Sequence, residues 1–187
     1  MRTAISIIHW LALTLWIASL TAVAATAIGV FAGLGRMEII VPEVVDALSK
    51  DHEAMGRYVA GRIVNPMFLL GRVIELVLAP IVIITGVLLG TGRSSWTRWI
   101  RWSLMSIAAA LLLWQGFVLE PGMNTALEAY WHALQQGDQT LAQKHMAVFE
   151  QGHVIAEPMM STRWIVLMLL VGFTAIPTTG SEATNAC

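Results

Sequence analysis

The sequence predicts an all-α integral membrane protein with four transmembrane helices and amphipathic helices on its outer face. Of the 187 residues, 57% are hydrophobic and 12% are charged, whereas about 25% of the residues of a soluble domain are charged. The mean hydropathy of +0.69 excludes a soluble enzyme and a disordered chain. With a net charge of −1 and no basic face, the protein is not expected to bind nucleic acid.

Four segments are long and apolar enough to cross a bilayer, which requires about 20 mostly apolar residues. The first lies within a run from Thr3 to Gly35 that has no charged residue. Its Ala22-Val23-Ala24 also resembles a signal-peptide cleavage site, but the apolar run continues well beyond it. The predicted spans are 5–33, 64–90, 101–119 and 155–177.

The distribution of charge predicts the orientation. Between the second and third spans lie Arg93, Arg98 and Arg101 without any acidic residue, and such clusters remain in the cytoplasm. The two longer connections, 36–62 and 121–153, are rich in acidic residues. We therefore expect a bacterial cytoplasmic-membrane protein, in contact with the lipid bilayer, with both termini in the cytoplasm.

Both outer connections have helical patterns. Pro42 can open a helix at its first turn, and apolar residues then recur at three- and four-residue spacing as far as Val59. The second connection opens with Pro121, turns near Gly137 and continues as a helix toward the fourth span. We expect these helices to lie on the membrane surface or to cap the bundle.

Charged residues within the spans predict an intramembrane polar layer. Charges inside a membrane are costly and are functional candidates by default. The layer could be a vestibule for a polar or anionic ligand, or a set of ion pairs between helices with snorkelling arginines. Of the two, we favour the ion pairs. Its predicted members are Arg72, Glu75, Glu120, Glu157 and Arg163.

A metal site on the outer face is the alternative. Glu150 and His153 have the Glu-x-x-His spacing of di-iron bundles, which require two such motifs, and the chain has one. His145 and Glu157 extend the same stripe. Histidines on amphipathic faces also bridge apolar surface and water. The predicted metal set is His52, His145, Glu150 and His153.

No resident cofactor is predicted from the rest of the chain. His9 has no partner histidine at the inner ends of the other spans, which argues against an intramembrane haem. There is no Cys-x-x-Cys-His motif and no glycine-rich phosphate loop.

Two small-xxx-small patterns predict close helix packing. Such patterns support helix association in membranes, so a homo-oligomer or a membrane-complex partner could bind there. The two patterns are Gly29/Gly33 and Gly86/Gly90.

Four short motifs lie within the predicted spans or next to their ends. In chain order they are His9 before Trp16, Asn65-Pro66-Met-Phe68-Leu-Leu-Gly71, Leu119-Glu120-Pro121 before Ala126-Leu127, and Phe149-x-x-x-His153. With these motifs the chain resembles the small four-helix transmembrane family of unknown function that includes the human platinum-drug-resistance-associated transmembrane protein. The resemblance implies a compact bundle linked to metal or drug tolerance, with no established reaction. Gly122 stands where the family commonly has arginine, and residues 154–158 lack its small polar residues and asparagine.

The sequence therefore favours a non-enzymatic integral membrane protein, an accessory or scaffold subunit or a transport-associated bundle. It offers no evident nucleophile and no complete metal site. The alternative is a membrane metal- or redox-handling protein that uses the outer histidine and glutamate cluster. A substrate transporter that uses Arg72, Glu75 and Arg163 is a third hypothesis.

Overall fold

The computed structural model describes residues 1–48, 51–90 and 95–175. These residues are helical apart from the connection 35–48 and short turns at the other helix ends. A π-helical turn, Gln115–Leu119, joins the third helix to the fourth without a break. The helices are α1 (Arg2–Leu34), α2 (His52–Leu89), α3 (Ser95–Trp114), α4 (Glu120–Gln135) and α5 (Gln139–Ala175).

Four helical stretches are long and apolar enough to cross a membrane: α1, α2, the continuous stretch Trp96–Gln135, and α5. The 38 residues of α2 extend about 57 Å, well beyond the roughly 30 Å hydrocarbon core of a bilayer. The amphipathic segments are therefore continuations of long helices, not separate helices lying along a surface.

The prediction that a helix opens at Pro42 is wrong. Residues 42–48 form turns, and α2 begins at His52. Its start is fixed by Asp51, whose carboxylate accepts hydrogen bonds from the backbone N–H groups of Glu53 (2.9 Å) and Ala54 (3.1 Å). This cap satisfies amide groups that have no partner within the helix.

Two apolar cores follow each other along the bundle. The main core is formed by Ala12, Leu13, Trp16, Leu20, Ala79, Val82, Met105, Ala108, Leu112, Val166, Leu167 and Leu170. The cap core is formed by Val44, Tyr58, Leu127, Trp131, Ala133, Leu134 and Ala142. In the cap, the Arg62 guanidinium lies 4.9 Å from the centre of the Trp131 ring.

Glycines allow two close approaches between helices. A Cβ atom at Gly56 would lie 2.3 Å from the backbone oxygen of Leu34, so α2 touches the end of α1 directly. A Cβ atom at Gly86 would lie 2.7 Å from the sulfur of Met105. Gly86 and Gly90 are both buried within the chain. By contrast, nothing lies within 4 Å of the Cβ position of Gly29 or Gly33.

Candidate functional site

A layer of charged side chains separates the main core from the cap core. On α2, Arg72 and Glu75 lie between the cap-core residue Tyr58 and the main-core residue Ala79. The π turn lies between the main-core part of α3 and the cap-core part of α4, and Arg163 lies between the two cores on α5. Three helical stretches therefore place polar groups at the same level of the bundle, which we call the polar layer.

Glu75 and Arg163 form the more buried ion pair of the layer. The Arg163 Nη2 atom lies 3.0 Å from Glu75 Oε2, and the two residues are 2% and 5% exposed, respectively. The indole N–H of Trp16 donates to Glu75 Oε2 at 3.1 Å. Since buried charges persist only when paired and hydrogen-bonded, Trp16 completes the environment of this carboxylate from α1.

Arg72 and Glu120 form the second ion pair. The side-chain amide of Gln115 donates to Glu120 Oε1 at 3.3 Å. Arg72 and Glu120 are partly exposed, with side-chain exposures of 10% and 16%, so this pair lies nearer the bundle surface than the pair of Glu75 and Arg163. Both arginines thus face carboxylates from other helices, as the sequence predicts.

The π turn brings Gln115 and Glu120 together. In a regular α-helix, residues five apart point about 140° away from each other, but a π turn bonds residue i to residue i−5. Here the N–H of Glu120 donates to the backbone oxygen of Gln115. Pro121 gives a local reason, because a proline lacks the N–H for the α-helical bond and its ring clashes with the carbonyl of residue i−4.

A small cavity opens within the polar layer. Its polar lining consists of Arg72, Glu75, Gln115, Glu120 and Arg163, and it has room for about one water molecule. Gly116 lets the π turn approach Arg72 closely, because a Cβ atom there would lie 2.8 Å from Arg72 Nη1.

The structure brings together four of the five predicted layer residues. Glu157 is the exception: it is exposed on α5, and neither ion pair of the layer includes it. The helix carries it onto a different face from Arg163. Glu157 is also six residues from Arg163, about 9 Å along the helix axis, so sequence spacing alone could not predict its place in the bundle.

The predicted metal set is not assembled. Within residues 1–48, 51–90 and 95–175, no group of three or more His, Cys, Asp or Glu side chains could hold a metal ion. His52 starts α2, whereas the other three residues lie along α5. His153 stacks on Phe149 with ring centres 5.7 Å apart, which is a packing contact.

Sequence reasoning missed Trp16 and Gln115 as members of the layer. An indole within an apolar run gives no sign of a buried carboxylate partner, and an i, i+5 contact is not expected of a regular helix. The signal available was Pro121, since a proline in a helix that continues through it requires a local irregularity.

A second buried polar contact lies deeper in the main core. His9 is 0% exposed, and its Nδ1 atom lies 2.9 Å from the Thr85 hydroxyl oxygen. That hydroxyl donates its hydrogen to the backbone oxygen of Ile81 at 2.6 Å. A hydroxyl oxygen that donates to Ile81 can still accept, so His9 Nδ1 in its protonated form can donate to Thr85.

The arginines of the predicted cytoplasmic cluster differ in their exposure to solvent. Arg101 is 1% exposed, Arg98 is exposed, and Arg93 lies outside the described residues. Burial of Arg101 was not expected from the sequence, which predicts that all three arginines face the cytoplasm.

The architecture defines an all-helical protein whose four helical stretches have the length and apolarity of membrane spans. Comparison with protein-family models, curated proteins and solved structures finds no match to this chain.

Proposed function

We propose that this chain is a non-enzymatic integral membrane protein of the transport-associated kind, and that the polar layer is its working site. The observation that carries the proposal is the placement of two Arg–Glu pairs around a cavity, between two apolar cores. We also propose that the bundle lies in a bacterial cytoplasmic membrane, with its arginine-rich connection on the cytoplasmic side.

The small net contribution of buried ion pairs to stability supports a functional role for the polar layer. Removing each ion from water costs several kcal/mol, and well-packed apolar residues of similar volume are often equally stable or more stable. The ion pair between Glu75 and Arg163 therefore adds little net stability relative to an apolar replacement. Buried charges within membrane spans characteristically mark solute or ion pathways.

Elemental analysis and an absorption spectrum of the detergent-purified protein test this proposal against the metal- or redox-handling alternative. We expect no stoichiometric metal and no haem or flavin band. A stoichiometric metal would instead support the metal-handling alternative, and the replacement of His145 and His153 by Ala would then show whether those residues bind it.

Flux into proteoliposomes tests the transport part. Vesicles containing the wild-type protein are compared with empty vesicles, using K⁺, Cl⁻, water and glycerol as probes. We expect faster entry of at least one probe, and loss of that increase in Arg72→Gln. Arg98→Gln is the matched control, because Arg98 is an exposed arginine outside the layer.

An unchanged flux in Arg72→Gln would contradict a working role for the layer. Equal permeability of wild-type and empty vesicles to all four probes would contradict transport by the bundle alone. Circular dichroism of each variant checks that a lost flux does not reflect a lost fold.

A further inference from the structure

The charges of the polar layer restrict what its cavity can bind. Arg72 and Arg163 are paired with Glu120 and Glu75, respectively, so the layer as a whole is neutral. A bound ion would add an uncompensated charge at a site between two apolar cores. Such a charge costs several kcal/mol or more when it is buried, so a neutral ligand is favoured over an ion.

Two side chains of the cavity retain hydrogen-bonding capacity. The Nε and Nη1 atoms of Arg163 are buried donors without a partner among the described residues, and Gln115 Oε1 is a buried acceptor in the same condition. Gln115 is 6% exposed. Its orientation is set by the neighbouring carboxylate of Glu120, which can only accept, so the amide nitrogen faces Glu120 and the oxygen is left over.

The complementary ligand must accept a hydrogen bond and donate one. A hydroxyl group does both, whereas a halide, a carboxylate or an ammonium group does only one. The cavity has room for about one water molecule. Leaving buried donors and acceptors unpaired would cost about 1–3 kcal/mol for each group.

We propose that this cavity binds one neutral hydroxyl ligand, either a water molecule or the hydroxyl group of a small polar solute. The ligand accepts from Arg163 and donates to Gln115 Oε1. It thereby joins the two ion pairs into one hydrogen-bonded chain across α2, α5 and the π turn. Its place in transport rests on the proposed function, but binding at the cavity does not.

Nuclear magnetic resonance of the full chain in detergent micelles tests the site directly. The protein is labelled with ¹³C,¹⁵N-arginine, and the Nε–H signal of Arg163 is assigned through bonds from its own backbone. We expect a rotating-frame cross peak between this Nε–H and a long-lived water molecule. Methanol then serves as the probe for a solute: a cross peak from its methyl group identifies a solute hydroxyl, and persistence of the water peak alone identifies water.

Gln115→Met removes the acceptor, and we expect the water cross peak to be lost. Gln143→Met makes the same chemical change at an exposed position of α5, and it should leave the peak unchanged. If Gln115→Met does not fold, the wild-type spectrum still decides.

Absence of a cross peak to water and to methanol in the wild-type protein would overturn the proposal. A saturable shift of the Arg163 signal with chloride or formate, without a water peak, would also overturn it in favour of an anion site. These results are independent of the flux assay, so failure of this site and failure of the transport proposal remain distinguishable.

Discussion

Glu75 on α2 and Arg163 on α5 form an ion pair at 3.0 Å that is buried between two apolar cores. The pair joins two helices through residues that are 88 positions apart in sequence. Neither residue can be removed alone without leaving a buried charge, which makes the pair the most sensitive part of the polar layer to substitution.

Replacement of Glu75 or Arg163 by Met should destabilise the bundle by about 3–5 kcal/mol, because the remaining charge loses its partner. The double variant should be more stable than the sum of the two single effects predicts, with a coupling of about 1–3 kcal/mol. Unfolding in mixed detergent and SDS measures all three variants. Strict additivity would show that the two side chains do not interact.

Gly116→Ala should disturb the pair of Arg72 and Glu120. The added Cβ atom would lie 2.8 Å from Arg72 Nη1, so the guanidinium group must move. We expect a loss of about 1–3 kcal/mol in unfolding free energy and a loss of any flux that depends on Arg72. Gly122→Ala is the matched control, since nothing lies within 4 Å of its Cβ position. Equal effects of the two substitutions would argue against this close approach.

Gly56→Ala should separate α2 from the end of α1. The Cβ atom would lie 2.3 Å from the backbone oxygen of Leu34, and a backbone atom cannot rotate away as a side chain does. We expect a destabilisation of about 1–3 kcal/mol, read as a lower thermal unfolding temperature. Gly29→Ala, with open space around its Cβ position, should have little effect. The prediction fails if the Gly56 variant unfolds at the wild-type temperature.

Asp51→Ala should weaken the start of α2 by about 1 kcal/mol, because two backbone N–H groups lose their acceptor. Hydrogen exchange at the amides of Glu53 and Ala54 should become faster. The same change at Asp138, whose carboxylate accepts from the Leu141 N–H at 2.9 Å, should affect the start of α5 instead. Faster exchange at the start of α5 in Asp51→Ala, or at the start of α2 in Asp138→Ala, would contradict these capping roles.

Burial raises the pKa of the Tyr130 phenol in the cap above its usual value of about 10. The positive charge of Arg57 opposes this rise without cancelling it. Because the folded-state pKa is the higher one, stability that is complete below the unfolded pKa falls as pH rises through the folded pKa. The chain has two tyrosines, and Tyr58 adds a smaller rise to the pKa of Tyr130. A phenolate absorbance titration of the Tyr58→Phe variant therefore measures Tyr130 alone, with the larger effect of burial retained. Titration at the model-peptide value would contradict its burial.

The local sequence pattern was sufficient to predict the long helices and most of the residues of the polar layer. Apolar runs bounded by charges predicted four spans, and four stretches of suitable length are present among the described residues. Arg72 and Glu75 could be recognised because charges are conspicuous in apolar segments. The start of α2 at His52 was not predicted, because Pro42 is a helix-start signal and the Asp51 cap is seen only in the structure.

The sequence by itself determined the helical class, the long apolar stretches and the presence of charged residues within them, because hydrophobicity and helical period are local properties. Only the tertiary structure decided which charges pair, that Glu157 remains outside, and that Trp16 and Gln115 enter the layer. These contacts depend on helix rotation and on the π turn. Helix rotation is set by side-chain packing across the whole bundle, to which residues distant in sequence contribute.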